Sequence, residues 1–417
     1  MVFNERYWAR IDRWKNITLE EFISHQWQAT LEKFLGEVVP ETFLSSKNSR
    51  LAHITTKAEF IQDAVKGRKG APMNVTITPH ILSLIDWSNP VDDPIRRQFI
   101  PSESGTLTDH PKLAFDSLHE EVDSPVSGLV HRYPGRALFL ATSICPVYCR
   151  FCTRAWAVGG DTETVSKKPK KPILRRWEQM FSYIENNKEL HDIVVSGGDC
   201  YYLEADQIAF IGKRLLEIPH IQRIRFASKG LAVSPGRITD ASDPWTKQLI
   251  ALSQAGRRIG KQVCLHTHFN HPKEITWITK QAADFLFSAG VIVRNQSVLL
   301  RGVNDNIETM TELISKLASI NIQPYYVYQG DMVHGVEDLR TPLRTILDLE
   351  KHIRGNISGF MMPSFVVDLP GGGGKRLAST YDSYNETTGV STWTAPGLPG
   401  DKGKRVYTYY DPRPLND

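Results

Sequence analysis

Short apolar segments that alternate with helical segments are the feature that most restricts the fold of this chain. Six of them are predicted to be buried strands: Ala137–Thr142, Ile193–Ser196, Ile221–Ala227, Gln262–His266, Val291–Arg294 and Gln323–Tyr328. Predicted helices alternate with them: Trp177–Ile184, Ala205–Ile218, Thr246–Ala255, Glu274–Phe287, Ile307–Ser319 and Thr341–Ile353. Because strands that alternate with helices form right-handed βαβ units, the pattern predicts a parallel α/β sheet. Six units fit either a partial TIM-type barrel or a doubly wound sheet.

The segments on either side of this pattern suggest three regions. Residues 1–115 are rich in Trp and charge and are predicted to form a mostly helical extension, with an amphipathic helix at Leu19–Val39. Residues 116–355 form the α/β core, and the alternation is predicted to end there. Residues 356–417 are a Gly-, Pro- and Tyr-rich C-terminal extension.

Composition excludes some classes of protein. Of the 417 residues, 41% are hydrophobic, yet no apolar run reaches the ~18 residues that a membrane span needs. The first residues lack the apolar segment of a secretory signal, so we expect a cytoplasmic protein with no membrane partner. The net charge is only +4, and the basic run Lys167–Lys171 contains no interleaved aromatic residues. A solvated loop is therefore favoured there, and no nucleic-acid partner is expected.

Three of the five cysteines are clustered directly after the first predicted strand. Cys145, Cys149 and Cys152 have the spacing C-x3-C-x2-C, which is typical of metal or redox chemistry rather than of a disulfide framework. Three thiolates can hold three irons of a [4Fe–4S] cluster and leave one iron open for another ligand. Structural zinc is the alternative metal, although it prefers four protein ligands.

Other unusual polar residues also follow predicted strands. Ser196-Gly197-Gly198-Asp199 ends the second strand, His268 follows the fourth, and Asp331 follows the sixth. In a barrel, the carboxyl ends of the strands carry the chemistry. We therefore expect these residues to meet the cysteine loop at one site.

A second motif lies beyond the core pattern, at Asp368-Leu-Pro-Gly371-Gly-Gly-Gly374-Lys375. Four glycines allow positive φ and close approach of the backbone to a bulky ligand. The lysine that follows is placed to form a Schiff base of the kind that pyridoxal phosphate enzymes require. A phosphate loop is disfavoured because Arg376 stands where that motif needs Ser or Thr. A flexible linker is the other alternative.

These motifs together resemble a known family. The cysteine loop is similar to that of the radical S-adenosylmethionine (SAM) enzymes, which have full or partial TIM-type barrels. With six predicted units, the resemblance implies a partial (β/α)6 TIM-type barrel as the core. Residues 127 to 375 resemble the lysine 2,3-aminomutase family, an isomerase family. The resemblance implies three cofactors: a [4Fe–4S] cluster, SAM and pyridoxal 5′-phosphate.

The resemblance also implies roles for individual residues. Cys145, Cys149 and Cys152 would bind the cluster, and Lys375 would carry the pyridoxal phosphate. The remaining cofactor-binding residues implied by the family are Arg132, Tyr133, Arg136, Ser196, Gly197, Gly198, Asp199, His268 and Gln296.

Three charged residues match the family's substrate site. Arg154 would pair with the carboxylate of the substrate, and Asp331 and Asp368 would bind the distal ammonium of lysine. Two converging carboxylates repel each other unless a cation lies between them, so a basic amino acid is expected. The expected reaction is conversion of L-lysine to β-lysine by 1,2-migration of the amino group. Arginine 2,3-aminomutase and a translation-factor-associated lysine 2,3-aminomutase are the alternatives.

Further expectations follow from the family. The electron donor would be a flavodoxin or ferredoxin, and the protein would be a homo-oligomer. The chain departs from bacterial lysine enzymes of this family because no cysteine follows Cys264, so their C-terminal zinc site has no counterpart in the sequence.

Overall fold

The structure is a computed structural model that describes residues 27–43, 51–168 and 172–414. Its main sheet contains β1 (Leu129–Tyr133), β2 (Arg136–Thr142), β3 (Asp192–Gly197), β4 (Arg223–Ala227), β5 (Gln262–Thr267), β6 (Ile292–Val298), β7 (Gln323–Tyr328), β8 (Ser364–Leu369) and β9 (Gly374–Leu377). Each strand pairs with the next one along the chain. Strands β2 to β8 are parallel, whereas β1 and β9 are antiparallel edge strands. The fold is a nearly closed, barrel-like α/β sheet.

Helices accompany the parallel strands and precede the sheet. The helices of the described residues are α1 (Trp27–Val38), α2 (Lys57–Gly70), α3 (Pro79–Leu84), α4 (Pro94–Phe99), α5 (Leu174–Asn186), α6 (Ala205–Glu217), α7 (Gly230–Val233), α8 (Gly236–Thr239), α9 (Pro244–Arg258), α10 (Trp277–Ser288), α11 (Ile307–Ser319) and α12 (Leu343–Ile353). The predicted helix Leu19–Val39 lies partly outside the described residues, which contain its second half as α1. No helix of the described residues is long and apolar enough to cross a bilayer.

All six predicted strands and all six predicted core helices are present, with ends shifted by a few residues. The parallel sheet, however, extends one strand beyond the predicted pattern. Strand β8 (Ser364–Leu369) pairs in parallel with β7, although the sequence suggested that the alternation ends at residue 355. Its residues Phe365 to Leu369 are almost all fully buried. Helix α12 and a loop with a short 3-10 helix connect β7 to this strand, so the alternation of strands and helices continues to residue 369.

A small second sheet is formed by the C-terminal region. It contains β10 (Ser383–Asn385), β11 (Val390–Thr394) and β12 (Val406–Tyr410), paired antiparallel in that order. On β12, the Tyr409 hydroxyl donates a hydrogen bond of 2.8 Å to the Gly330 carbonyl, next to Asp331. One cluster of buried apolar side chains runs from Leu35 through Phe139 to Trp393. The division of the chain at residues 115 and 355 stays a prediction.

The two edges of the main sheet are linked by a side chain. The backbone N–H of Lys375 on β9 donates a 2.8 Å hydrogen bond to the hydroxyl of Tyr133 on β1. Between β8 and β9, Gly371, Gly372 and Gly374 have φ values of 74°, 84° and 71°, which L side chains rarely adopt. A Cβ atom on Gly374 would lie 2.5 Å from the Tyr133 hydroxyl. The glycines are therefore needed for a tight turn against the protein itself.

We predict that Gly374→Ala destabilises the protein by about 1–3 kcal/mol, because it adds a steric clash to an unfavourable φ. Thermal unfolding would measure the change in Tm. Gly397→Ala is the matched control, since a Cβ there meets nothing within 4 Å and φ is not positive. Equal Tm values for the two variants would contradict the close packing of Gly374 on Tyr133.

Candidate active site

One cavity of about 350 Å³ is enclosed by the barrel-like sheet and the loops at the carboxyl ends of its strands. Every residue proposed from the sequence lines it: Arg132, Tyr133, Arg136, Cys145, Cys149, Cys152, Arg154, Ser196, Gly197, Gly198, Asp199, His268, Gln296, Asp331, Asp368 and Lys375. The residues at or after the carboxyl ends of the parallel strands meet because those strands end at the same edge. Arg132, Tyr133 and Lys375 are brought to the cavity by the antiparallel strands β1 and β9, and Arg136 begins β2.

The three cysteines are free thiols on the loop that follows β2. Within this loop, Arg150 donates to both carboxylate oxygens of Asp338 at 3.1 Å and to the Arg97 carbonyl at 3.0 Å, which fixes the segment between the thiols. Burial raises the pKa of all three thiols, to about 12 for Cys149. Three thiolates in this setting need a compensating positive charge, which a bound metal supplies. The residues therefore fit a metal cluster.

The arrangement is not that of a single-ion site. Among the described residues, no three His, Cys, Asp or Glu side chains converge on a position for one metal ion. A [4Fe–4S] cluster needs no such convergence, because each thiolate binds a different iron.

The glycines after β3 allow it to pack against the start of the cysteine loop. A Cβ on Gly197 would lie 2.2 Å from the Thr142 carbonyl oxygen, and one on Gly198 would lie 2.4 Å from that of Ile144. The Asp199 carboxylate accepts the backbone N–H groups of Tyr201 at 2.8 Å and Lys229 at 2.7 Å. This motif thus fixes the backbone directly before Cys145.

Lys375 and Asp368 form the central ion pair of the cavity. They lie directly opposite each other on the antiparallel strands β9 and β8, and Lys375 Nζ is 2.6 Å from Asp368 Oδ2. Burial would lower the pKa of Lys375, but the charge of Asp368, the neighbouring Tyr133 and the hydrogen bond to Asp368 together raise it above its usual value. The ammonium is also 5.5 Å from the centre of the Tyr328 ring. Lys375 is therefore protonated in this arrangement.

Arg132 is also engaged with Asp368. Its Nη1 lies 3.8 Å from Asp368 Oδ1, its Nε donates to Asp123 at 2.6 Å, and its Nη2 donates to the Leu118 carbonyl. In contrast, Arg136 is exposed and lies over the Tyr133 ring, 3.9 Å from its centre. Arg136 is thus the more available of the two predicted phosphate partners.

Asp331 is the second buried carboxylate and differs in charge from the first. Thr153, next to Cys152, donates a hydrogen bond to its Oδ2. Burial and then the negative charge of Asp368 raise the pKa of Asp331 to about 7. The pKa of Asp368 is lowered, because Lys375 and Arg132 outweigh the effect of burial. Asp368 is therefore ionised, and Asp331 titrates near neutral pH.

Arg154 forms a bidentate ion pair with Glu120, a residue that the sequence analysis missed. Both N–O distances are 2.7 Å, and the Glu120 side chain is only 4% exposed. No motif around residue 120 marks it, so only the folded chain identifies it.

Two histidines line the cavity wall. The predicted residue His268 hydrogen-bonds Asn270 at 3.0 Å, and burial lowers its pKa to about 3. His266 was not predicted; its Nε2 is buried and has no hydrogen-bond partner among the described residues. Tyr325, also missed, donates to Gln296 at 3.0 Å and lies 3.1 Å from His266 Nδ1. The buried, unpartnered Nε2 atom fits a polar ligand in this cavity.

The fold and the cavity define a class of enzyme. A barrel-like α/β sheet with a three-cysteine loop at its carboxyl edge, facing a lysine that follows a glycine turn, is typical of radical SAM enzymes that also use pyridoxal phosphate.

Comparison with known proteins identifies the family. The chain is 41% identical to L-lysine 2,3-aminomutase of Clostridium subterminale, over 73% of this chain and 68% of that protein. It is 36% identical to the enzyme of the same name from Bacillus subtilis, over 89% and 72%. It is 33% identical to glutamate 2,3-aminomutase of Clostridioides difficile, over 86% and 77%. The chain therefore belongs to the lysine 2,3-aminomutase family.

This membership establishes the protein as an amino-acid 2,3-aminomutase. It is an isomerase that acts on an amino acid as a small-molecule substrate and uses a [4Fe–4S] cluster, SAM and pyridoxal phosphate. No protein-family model matches the sequence. A solved radical SAM methyltransferase from Sphaerobacter thermophilus is a distant likeness: it is 17% identical, with a TM-score of 0.36 over 58% of this chain and 68% of that one.

We predict that Cys149→Ser loses the bound iron. After anaerobic reconstitution, the wild type should hold about four irons per chain and the variant close to none. Cys264→Ser is the control, because Cys264 is a buried thiol outside the cysteine loop whose Sγ donates to the Ile224 carbonyl. Colorimetric iron analysis makes the measurement, and full iron content in Cys149→Ser would refute the assignment.

The raised pKa of Asp331 predicts a dependence of stability on pH. Because its pKa rises from 3.8 to about 7 on folding, the folded protein binds more protons between these values, and this carboxyl costs stability as the pH rises through that window. Relative to the wild type, Asp331→Asn should therefore be more stable at pH 8 than at pH 5, by on the order of 1–2 kcal/mol in the free energy of unfolding, which is seen as a higher Tm.

Thermal unfolding of both proteins at the two pH values provides this test. Asp401→Asn, at an exposed position, is the control. If the difference between Asp331→Asn and the wild type is the same at pH 5 and pH 8, Asp331 does not titrate in this range.

Proposed function

We propose that the protein converts L-lysine to β-lysine. The main support is that Asp368 already binds a primary alkylammonium group, that of Lys375, at 2.6 Å in the buried cavity. A side chain that holds one lysine ammonium in this geometry fits the distal ammonium of a lysine substrate.

The charges of the cavity support a cationic substrate. Asp331 and Asp368 are close enough for the charge of one to raise the pKa of the other. An ammonium between them would favour ionisation of both. The distal carboxylate of glutamate would add a third negative charge to the pair, so glutamate is disfavoured.

The opposite end of the substrate fits Arg154. Its Nε and Nη2 are bound to Glu120, whereas Nη1 has no hydrogen-bond partner among the described residues. A guanidinium held along one edge can still bind a carboxylate through its remaining N–H groups. The α-carboxylate of an amino acid is the group of matching charge.

Residues for the cofactors are available in the same cavity. Cys145, Cys149 and Cys152 would hold the cluster, Lys375 the pyridoxal phosphate, and Arg136 its phosphate. When bound, these groups supply hydrogen-atom abstraction at the β-carbon and delocalisation of the unpaired electron over the pyridine ring. The cavity wall would exclude water from the reacting atoms and hold them in contact.

The chain's own contribution includes control of the proton on Lys375. While its ammonium is paired with Asp368, the raised pKa keeps the nitrogen protonated and non-nucleophilic. A substrate ammonium that takes over Asp368 would remove this stabilisation, and the pKa of Lys375 would fall because burial alone lowers it. A Lys375 nitrogen that has lost its proton can hold pyridoxal phosphate, and Asp368 is then available to bind the distal ammonium of the substrate.

Reconstituted, reduced protein offered lysine, arginine and glutamate in separate anaerobic reactions tests the proposal. We expect mass spectrometry to find the β-amino isomer from lysine. Activity should be abolished in Lys375→Ala and retained in the control Lys351→Ala, at an exposed position on α12. At pH 8, Asp331→Asn should lower kcat/KM for lysine by at least about 30-fold, because an ionic partner of the substrate is lost.

The outcomes separate the alternatives. An isomer from arginine alone would mean that Asp331 and Asp368 bind a guanidinium group and that arginine is the substrate. Deoxyadenosine without any isomer from the three amino acids would refute free basic amino acids as substrates. The flavodoxin or ferredoxin donor, the homo-oligomer, the cytoplasmic location and the lack of nucleic-acid and membrane partners stay predictions.

A further inference from the structure

A short acidic turn, Asp116–Asp123, covers one side of the cavity. Asp116 begins it and accepts the backbone N–H groups of Glu120 at 2.9 Å and Glu121 at 3.0 Å. His119, directly before Glu120, has φ of 53°, an uncommon value for a residue other than glycine. Such local strain is retained where surrounding contacts fix the backbone, often at functional sites.

The turn is tied to both carboxylate-bearing segments. Just before it, the N–H of Ala114 donates to the carbonyl of Met332, the residue after Asp331, at 3.1 Å. Within it, the carbonyl of Ser117 accepts the N–H of Gly371 at 2.8 Å, three residues after Asp368. The turn is therefore held in register with Asp331 and Asp368.

The carboxylates of the turn hold two of the cavity's arginines. Asp123 binds Arg132, and the buried Glu120 binds Arg154 by two parallel N–H···O bonds of 2.7 Å. Such a bidentate pair fixes the plane of the guanidinium as well as its position. A single long arginine side chain would otherwise sample several rotamers.

The geometry points to Glu120 as a positioning residue for substrate recognition. It binds the Nε–Nη2 edge of Arg154, so that the remaining N–H groups receive the α-carboxylate of the amino acid at a fixed distance from Asp331 and Asp368. This inference rests on the proposed function. It adds that the acidic turn fixes the distance from Arg154 to Asp331 and Asp368. The site would therefore select substrates by the distance between their carboxylate and their distal ammonium.

The electrostatics agree with this role. Burial would lower the pKa of Arg154, but Glu120 raises it above its usual value, so Arg154 is charged. The Glu120–Arg154 pair is close to neutral as a unit. A bound substrate carboxylate would add one negative charge next to the Arg154 cation. Glu120 itself does not contact the reacting atoms in this scheme; it acts through Arg154.

The test compares binding of L-lysine with binding of L-lysine amide, which lacks the carboxylate charge but keeps both amino groups. Isothermal titration calorimetry on enzyme loaded with cluster and pyridoxal phosphate gives the ratio of the two Kd values. We expect the wild type to prefer lysine by about 10- to 100-fold, the size of a charge-assisted bidentate contact. The preference should shrink in Glu120→Gln and be lost in Glu120→Ala.

Two further variants make the result specific. Arg154→Gln should lose the preference as fully as Glu120→Ala. Glu121→Gln is the matched control, since this neighbouring glutamate pairs with Lys168 on the surface and should keep the preference. Thermal unfolding and iron content check that each variant is folded and loaded.

The outcomes are distinguishable. If the Glu120 variants weaken both ligands equally and keep the ratio, Glu120 is only structural and the inference is overturned, while the proposed function stands. If the wild type binds lysine and its amide equally well, Arg154 does not bind the substrate carboxylate, and the inference about Glu120 is overturned as well. If the wild type binds lysine with the expected preference and the Glu120 variants lose it, but no isomer forms, the proposed reaction is refuted and the positioning role of Glu120 is supported.

Discussion

The buried carboxylate of Asp368 is the group on which the centre of this protein depends. It lies 2.6 Å from Lys375 Nζ and 3.8 Å from Arg132 Nη1. Arg132 in turn binds Asp123, which is also paired with Lys402 of the C-terminal region. Buried charges are tolerated only when they are paired, so loss of one member leaves its neighbours uncompensated. This alternation of charges links the β8–β9 turn, the acidic turn and the C-terminal extension.

The same carboxylate gives the two aspartates of the cavity, Asp368 and Asp331, different protonation states. Asp368 is held ionised by its cations, and burial together with the negative charge of Asp368 raises the pKa of Asp331 to about 7. A pair of carboxyls with different charges can accept one ammonium without forcing two negative charges together first. Lys375 keeps its proton for the same reason. One ion pair thus sets the protonation of the site.

The acidic turn gives the cavity its geometry. Asp123 holds Arg132 and Glu120 holds Arg154, while backbone hydrogen bonds tie the turn to the segments of Asp331 and Asp368. The glycine motif also packs closely, because a Cβ atom on Gly374 would clash with Tyr133 and one on Gly373 would clash with Tyr407. Three of the four glycines, Gly371, Gly372 and Gly374, have the positive φ that the sequence suggested.

The sequence determined the parallel sheet, the cysteine loop and the identity of the lysine motif. Alternation of apolar and helical segments, the cysteine spacing and the glycine run are local properties, and local patterns survive in any fold that buries them. The family resemblance added the arginines and carboxylates of the cavity. The tertiary structure alone decided that β8 joins the sheet, that Arg132 is engaged with Asp123, and that Glu120 binds Arg154. These outcomes depend on contacts between residues far apart in the chain, such as the 34 positions that separate Glu120 from Arg154. No periodicity encodes such a pairing, because burial and charge compensation arise only when the strands have brought both side chains to the same cavity.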